Sequence, residues 1–394
     1  MKRMWLVIFC LIFSTQAFAQ TAVIPWWLSL EYGKQRFRTG DYGDALLLFE
    51  DARRDRRAMY EKMEKDLISL LSINEVRRLG DHLDWVERYS QERYYTAATA
   101  ALEELYYRVP KSGLKNSASA ALAAIGKLKN YPEAEYWIGE VYRIEGELPL
   151  ALSQYRRAYE MRENLEDAMF SVTLQYNIAG ILRTRQDYNG MERALSSIIS
   201  EHDTLWINAD RALTHRIEFP ETGRSSVPVP YEQAEASFAR TSMIKILENS
   251  GFNRFLELYR YNNITVEQAH RLLGFHYVVT GRPSAQEHLM FAFLIQNSII
   301  IEELRKRQFD FTYTNLQALA QEINKNELLL SFVEEVEYYK TAYYFAASLF
   351  RNDRASVARN IWEFLASEPN AGEWQNRAAS QLRNPRTETI ITMP

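Results

Sequence analysis

The chain contains almost no cysteine and little of the glycine and proline that interrupt helices. It has one Cys, 15 Gly and 11 Pro among 394 residues. The one cysteine, Cys10, lies in an apolar N-terminal segment, so the rest of the chain forms no disulfide bond, thiolate metal site or cysteine nucleophile. With 47% hydrophobic and 25% charged residues, the composition is typical of a folded, helix-rich protein.

The sequence also lacks a block of basic residues. Its formal net charge is −4, and its lysines and arginines are interspersed with acidic residues. A nucleic-acid-binding surface needs clustered positive charge, so we expect neither DNA nor RNA as a partner. After the N-terminus, no segment reaches the length of about 20 apolar residues that spans a membrane. We therefore expect no transmembrane segment in the mature chain.

The N-terminal segment MKRMWLVIFCLIFSTQAFAQ has the three parts of a secretory signal peptide. Two basic residues come first, an apolar run follows, and the small-residue pattern AFA comes last. We predict cleavage after Ala19, which removes residues 1–19 and exports the chain to the periplasm or out of the cell. A lipoprotein anchored at Cys10 is not expected, because Phe9 stands where a small residue is normally required.

Several stretches have the spacing of two short antiparallel helices joined by a tight turn. In residues 136–159, the small residues Gly139 and Ala151 allow the helices to approach closely, and Tyr155 fills the space beside that contact. Gly146 lies at the predicted turn between the helices. Similar patterns recur at residues 33–52, 178–195, 273–281 and 345–362.

This recurring pattern resembles the tetratricopeptide repeat family, whose unit of about 34 residues is a helical hairpin. The resemblance implies an all-α fold, a right-handed α-solenoid of antiparallel helix pairs. Three residues depart from the family's pattern. Met191 and Gln286 stand where it has small residues, and Glu135 stands where it has a large apolar one.

The repeats also predict a domain organisation. The turns at Gly40 and Gly146 are 106 positions apart, close to three units of about 35 residues, so we expect a helical repeat array over residues 20–216. Residues 217–231 contain three prolines and cannot form a continuous helix. They are predicted to form a linker before a similar helical region at 232–394, or a surface loop within one superhelix.

In the tetratricopeptide family, regularly spaced residues of each first helix line a concave groove that binds peptides. Tyrosine and arginine, which are common in protein interfaces, recur at these positions here. Asn177 stands where the family has one residue of a carboxylate clamp, although the other clamp residues are missing. The resemblance places in the groove Tyr136, Glu140, Arg143, Tyr176, Asn177, Arg183, Lys340 and Tyr343.

No pattern for catalysis or metal binding is present in the sequence. Of the six histidines, His270 and His276 come closest to a metal-ligand pair, but six positions on a helix place them on different sides. Glycine-rich phosphate loops and a GxSxG nucleophile motif are absent. We therefore expect no enzyme, no metal and no cofactor. A cell-wall hydrolase on a helical scaffold would need an acid and base pair that the sequence does not single out.

The sequence thus predicts an exported, non-enzymatic scaffold or adaptor that binds another protein or peptide in an envelope assembly through its concave groove. The alternative is an accessory component of a periplasmic transport system that binds a small hydrophobic solute. A continuous apolar pocket along the helices would favour the solute, and an open polar groove would favour the protein partner.

Overall fold

The computed structural model describes residues 25–72, 125–206 and 231–386, and within these ranges the chain is helical without any β-strand. The predicted all-α class is therefore confirmed for this part of the chain. None of the helices in the described ranges combines the length and the apolar character that crossing a membrane requires. The signal peptide predicted for residues 1–19 lies outside the described ranges.

The helices are mostly short, which suits hairpins. They are α1 (Trp26–Arg38), α2 (Tyr42–Ser72), α3 (Pro132–Ile144), α4 (Leu148–Glu160), α5 (Phe170–Thr184), α6 (Tyr188–His202), α7 (Tyr231–Leu258), α8 (Ile264–Thr280), α9 (Ala285–Arg307), α10 (Leu316–Asn324), α11 (Glu327–Glu335), α12 (Tyr338–Arg351), α13 (Ala355–Ser367) and α14 (Glu373–Arg383).

The chain divides into two compact units, Met1–Ile181 and Leu182–Pro394. The boundary between them lies within α5. The sequence places a linker or loop at residues 217–231 instead, and that segment lies outside the described ranges except for Tyr231, the first residue of α7. The predicted division into residues 20–216 and 232–394 stays a prediction.

Five of the turns between successive helices have the same geometry. In each turn one residue has a left-handed backbone, and the next residue donates its N–H to the carbonyl group five positions earlier, at 2.8–3.0 Å. Such a bond satisfies a carbonyl group that the end of a helix leaves free. Recurrence of one turn geometry shows that the same local unit is used repeatedly. The left-handed residues are Gly40, Gly146, Gln186, Gly281 and Asp353.

A small residue precedes each of these five turns by seven positions. At three of them the residue is glycine, and an added Cβ would lie 2.5–2.7 Å from a side-chain atom of the next helix, far inside contact distance. Only glycine allows the two helices to pack this closely, as the sequence predicts for Gly139. The three close pairs are Gly33 with Phe49, Gly139 with Tyr155 and Gly274 with Leu289.

In the first unit, the hairpin of α1 and α2 packs directly against the hairpin of α3 and α4. Phe49 and Ala45 of α2 share one buried apolar cluster with Ile138 of α3. The units that the 106-residue interval between the turns predicts would lie in residues 73–124, which are outside the described ranges, so that part of the repeat array stays a prediction. The apolar faces of α2 and α3 complement each other and bring the two hairpins into contact.

Helix pairs also pack in succession in the second unit. Helix α6 contacts α8, the pair α8 and α9 contacts α12, and α13 follows α12 and contacts α14. Helix α7 packs against α9 and α13, while α10 and α11 form a shorter pair. Large aromatic side chains fill this interior, among them Phe275, Phe293, Phe345 and Trp362. The second unit is therefore a run of consecutive helix pairs around an aromatic core.

Candidate functional site

Helix α3 carries three of the residues that the sequence places in a binding groove. Pro132 occupies its first turn, where a missing N–H costs nothing, and Arg143 lies in its last turn, where a positive charge suits the helix dipole. Positions four and seven residues apart on a helix lie on the same side. Tyr136, Glu140 and Arg143 therefore share one side of α3.

The carboxylate of Glu140 is the centre of this side. Glu140 is only 7% exposed, and it accepts hydrogen bonds from Arg143 Nη2 at 2.7 Å and Nε at 3.2 Å. The hydroxyl group of Tyr155 on α4 also donates to it, and Asn177 Nδ2 on α5 lies 3.4 Å away. A buried carboxylate is costly without such partners. Here the partners come from three helices, so Glu140 fixes their relative positions.

Burial and the carboxylate also control protonation at this cluster. Burial raises the pKa of Tyr155 well above its ordinary value, and the hydrogen bond to Glu140 adds to the effect. Burial likewise raises the pKa of Tyr136 to about 12, with the charge of Glu140 contributing. Hydrogen bonding to Glu140 raises the pKa of Arg143 despite its partial burial. Both phenols therefore keep their protons near neutral pH, and Arg143 stays positively charged.

Tyr136 gives this side of α3 an aromatic edge. Its ring meets Phe170 of α5 edge-on, with ring centroids 4.6 Å apart, and lies 5.8 Å from the ring of Tyr155. Aromatic rings favour such offset and edge-on contacts. Tyr136 itself is half-buried, while the side chain of Arg143 is 45% exposed. We call the surface formed by Tyr136, Glu140, Arg143 and Asn177 the α3 face.

The other predicted groove residues lie in different surroundings. Tyr176 is half-buried on α5 beside Asn177, and Arg183 is half-buried in the last turn of α5, within the second unit. Four of the eight predicted residues are thus brought together in the α3 face. The binding role of all eight stays a prediction.

Lys340 and Tyr343 of α12 offer little surface to a partner. Lys340 is 9% exposed and donates to Glu337 at 2.7 Å, and its ammonium group lies over the ring of Phe275. Tyr343 is 1% exposed, and its ring lies 5.4 Å from that of Trp374 on α14. The repeat pattern predicts that both residues line a groove. In the structure they lie in the interior of the second unit, because α8 and α14 pack beside them.

The structure also brings together a polar cluster of which the sequence analysis named only His270. His270 Nε2 lies 2.8 Å from Asp203 Oδ2, and His270 Nδ1 lies 3.0 Å from His288 Nδ1. The ring of Trp206 stacks on His288 with centroids 4.8 Å apart. The only signal in the sequence is the presence of the residues themselves, since the partners are separated by many positions along the chain. We call these four residues the histidine cluster.

His276 lies apart from this cluster, on another side of α8, as the helical spacing predicts. Its ring stacks on Tyr188, and Glu192 of α6 is 3.9 Å away. Among the described residues, no group of three or more His, Cys, Asp or Glu residues is arranged to hold a metal ion.

The described residues thus form helix pairs that pack in succession, and the α3 face of the first unit combines aromatic and charged side chains. No protein-family model matches the chain. It is 24% identical over 364 residues to an uncharacterized protein of Treponema pallidum (strain Nichols), an alignment that covers 91% of this chain and 89% of that protein. An uncharacterized protein of Borreliella burgdorferi (strain B31) is 22% identical over 289 residues, covering 70% and 84% of the two chains.

Proposed function

We propose that this protein is a non-enzymatic scaffold that holds another protein or a peptide on its α3 face. The observation that carries the proposal is the buried carboxylate of Glu140, which holds Arg143 in place while leaving much of its side chain exposed. Tyrosine and arginine dominate the energetics of protein interfaces because they combine rigid area with directional donors. A group held in place before binding loses little entropy when the partner arrives.

The five equivalent turns support assignment to a tetratricopeptide-like α-solenoid. In such a stack each hairpin buries its apolar face against its neighbours, and the first helices together form an extended contact surface. Helices α3 and α5 each precede one of the five turns, so both are first helices under this assignment. The α3 face draws on both, as a groove along a solenoid would.

The signal-peptide pattern of residues 1–19 supports an exported protein, and we propose the periplasm as the place where the scaffold works. A partner in an envelope assembly fits that location. The α3 face is lined by a guanidinium group, an amide and a phenol, which suits a partner that offers carboxylate or carbonyl oxygen atoms. A hydrophobic solute would make no use of the exposed part of the Arg143 guanidinium group, so the observations favour the protein partner.

The test is recovery of a partner from the native cell envelope with purified protein as bait. The first variant carries Tyr136→Ala and Arg143→Ala, and the matched control carries Tyr32→Ala and Arg38→Ala, which remove an exposed tyrosine and arginine from α1. Circular dichroism establishes that both are folded. We expect the α3-face variant to lose at least about tenfold in recovery, which corresponds to about 1.4 kcal/mol.

The control should recover as much partner as the wild type. If both variants recover the same amount of partner, the binding surface does not lie on α3. If the wild type recovers no protein at all, the scaffold proposal fails and binding of a small solute becomes the hypothesis to test.

A further inference from the structure

A cavity in the first unit lies on a different side of α3 from the α3 face. It has a volume of about 380 Å³ and is walled by α2, by the segment before α3 and by α4. Glu135 in its wall and Glu140 in the α3 face are five positions apart, which is about 140° around a helix. The volume lies within the range of about 300–1,000 Å³ that is usual for small-ligand sites. Five basic side chains line it: Arg53, Arg54, Arg57, Lys129 and Arg157.

Glu135 organises this cavity. It is 2% exposed and stands where the repeat pattern has a large apolar residue. One carboxylate oxygen accepts from Arg53 Nη1 at 3.0 Å, and the other lies 3.4 Å from Arg157 Nε. A single buried carboxylate therefore holds two guanidinium groups, from α2 and α4, at the cavity wall. Glu50, a second acid in the lining, lies 3.9 Å from Arg53 Nη2, so the five basic side chains of the cavity face two carboxylates.

The remaining basic residues divide into two kinds. Arg54 pairs with Asp51 at 2.7 Å, and Lys129 pairs with Glu64, so acids outside the cavity lining partly neutralise these two cations. Arg57 is exposed and makes no ion pair with any described residue. The groups available to a ligand are therefore Arg57, the part of the Arg157 guanidinium group that Glu135 leaves free, and Arg53 Nη2, which Glu50 holds only at 3.9 Å.

A buried cation behind the wall adds to the positive potential. The guanidinium group of Arg56 is held over the rings of Tyr131, at 4.4 Å, and Trp26, at 4.7 Å, and its Nε donates to the carbonyl oxygen of Leu128 at 3.0 Å. No carboxylate of the described residues forms an ion pair with it. Tyr131 lines the cavity, so this cation lies next to one of the cavity walls.

We propose that this cavity binds a phosphate group, either free or in a small phosphate ester, with Arg53, Arg57 and Arg157 as donors. Guanidinium groups present paired N–H donors that match the oxygen spacing of phosphate, and several of them together suit a doubly charged anion. The buried carboxylate of Glu135 keeps two of the donors in position before the ligand arrives. The proposal is independent of partner binding at the α3 face, since it rests on a different side of α3.

The test is calorimetric titration of the purified protein with inorganic phosphate at low salt, where charge-based binding is strongest. We expect saturable binding that weakens at least tenfold in Arg57→Gln and in Arg157→Gln. The matched control is Arg38→Gln, which removes an exposed arginine of α1 outside the cavity and should bind as the wild type does. Arg57 has no structural partner among the described residues, so its variant should fold normally.

A second arm separates a soluble phosphate from a lipid headgroup. It measures co-sedimentation with vesicles containing phosphatidic acid and with vesicles of phosphatidylcholine alone. Binding that depends on Arg57, to phosphate or to the phosphatidic acid vesicles, supports the proposal. Absence of saturable binding in both arms, or equal binding by wild type, Arg57→Gln and Arg157→Gln, overturns it.

Discussion

The two units place their buried carboxylates in different surroundings. In the first unit, Glu135 and Glu140 are buried, but the arginines that pair with them, Arg143 and Arg157, extend to solvent. In the second unit, Glu267 pairs with Arg271 at 3.0 Å and accepts from Gln296 at 2.6 Å, and all three side chains are buried. The first arrangement leaves charge accessible to a partner, and the second does not.

The histidine cluster extends the same contrast. Asp203, His270 and His288 are all buried, and they connect the end of α6 with α8 and α9. His270 Nε2 and Asp203 Oδ2 are within hydrogen-bond distance at 2.8 Å. Polar groups that satisfy one another in the interior specify how helices fit together. Both units contain buried acids. The candidate binding surfaces differ from the structural clusters because the cations that pair with their acids are exposed.

The largest effect that we predict is in the closed cluster of the second unit. Asp203→Ala leaves His270 Nε2 without its buried acceptor, which costs about 1–3 kcal/mol, and removes the cap that accepts from Trp206 N–H at 2.7 Å, which costs about 1 kcal/mol more. Urea denaturation followed by circular dichroism measures the loss. Arg57→Gln in the first unit, at an exposed side chain, should change stability by less than about 0.5 kcal/mol. Similar losses in both variants would contradict the distinction between closed and open charge clusters.

The next effect concerns packing within the hairpin of α3 and α4. Gly139→Leu inserts a side chain where even a Cβ atom would lie 2.7 Å from the ring of Tyr155, and overpacking of this kind costs about 1–3 kcal/mol. Thermal melts by circular dichroism measure it. Gly43→Ala is the control, since no atom outside its own helix backbone lies within 4 Å of that position. A melting curve of Gly139→Leu that matches the wild type would mean that the register of this hairpin is wrong.

A smaller change in stability is expected at the turns, and its sign differs between turns with glycine and turns without it. Gly146 has φ 82°, so Gly146→Ala should cost about 1–2 kcal/mol, the penalty of a left-handed backbone for residues with a Cβ. Gln186 already bears that penalty at φ 60°. Gln186→Gly should therefore stabilise slightly, since relief of strain exceeds the added flexibility of the unfolded chain. Urea midpoints test both, and a shift in the same direction for the two variants would argue against equivalent turns.

The smallest effect is a dependence on pH at His276 in the second unit. Burial holds the pKa of His276 below its ordinary value of 6.5, with the neighbouring Glu192 acting in the opposite direction and Arg282 reinforcing the shift. At a pH between the folded pKa of His276 and 6.5, the unfolded chain binds more protons than the folded chain. The free energy of unfolding therefore falls as the pH drops through 6.5 toward the folded pKa.

Urea midpoints measured between about pH 7.5 and pH 5.5 follow this change for the wild type and for His276→Gln. We expect a shallower slope in the variant. Glu192, whose pKa is lowered below 4.5 by hydrogen bonds from Tyr277 and Arg282 in spite of its burial, acts only at more acidic pH. If the urea midpoint depends on pH with the same slope in the wild type and in His276→Gln, His276 is not the source of the pH dependence.

Local features of the fold were predictable because they depend on nearby residues. Glycine at positions 40, 146 and 281 signals a left-handed turn, and the structure has one at each. In the helix pair predicted at residues 345–362, the sequence did not identify Asp353 as the left-handed residue of the turn, since aspartate does not require that backbone conformation. Likewise, the helical period places Tyr136, Glu140 and Arg143 on one side of α3, but it carries no information about Tyr155, whose hydroxyl group reaches Glu140 from α4.

The sequence by itself determined the helical class, the positions of most turns, the close approach at Gly139 and the side of α3 that carries Tyr136 and Arg143. Each of these follows from spacing and from steric limits that act within one hairpin. The tertiary structure alone decided that α2 meets α3, that Glu135 pairs with an arginine 82 positions earlier, and that Tyr343 is buried. These outcomes depend on which surfaces complement each other across long stretches of chain, and local spacing does not encode that match.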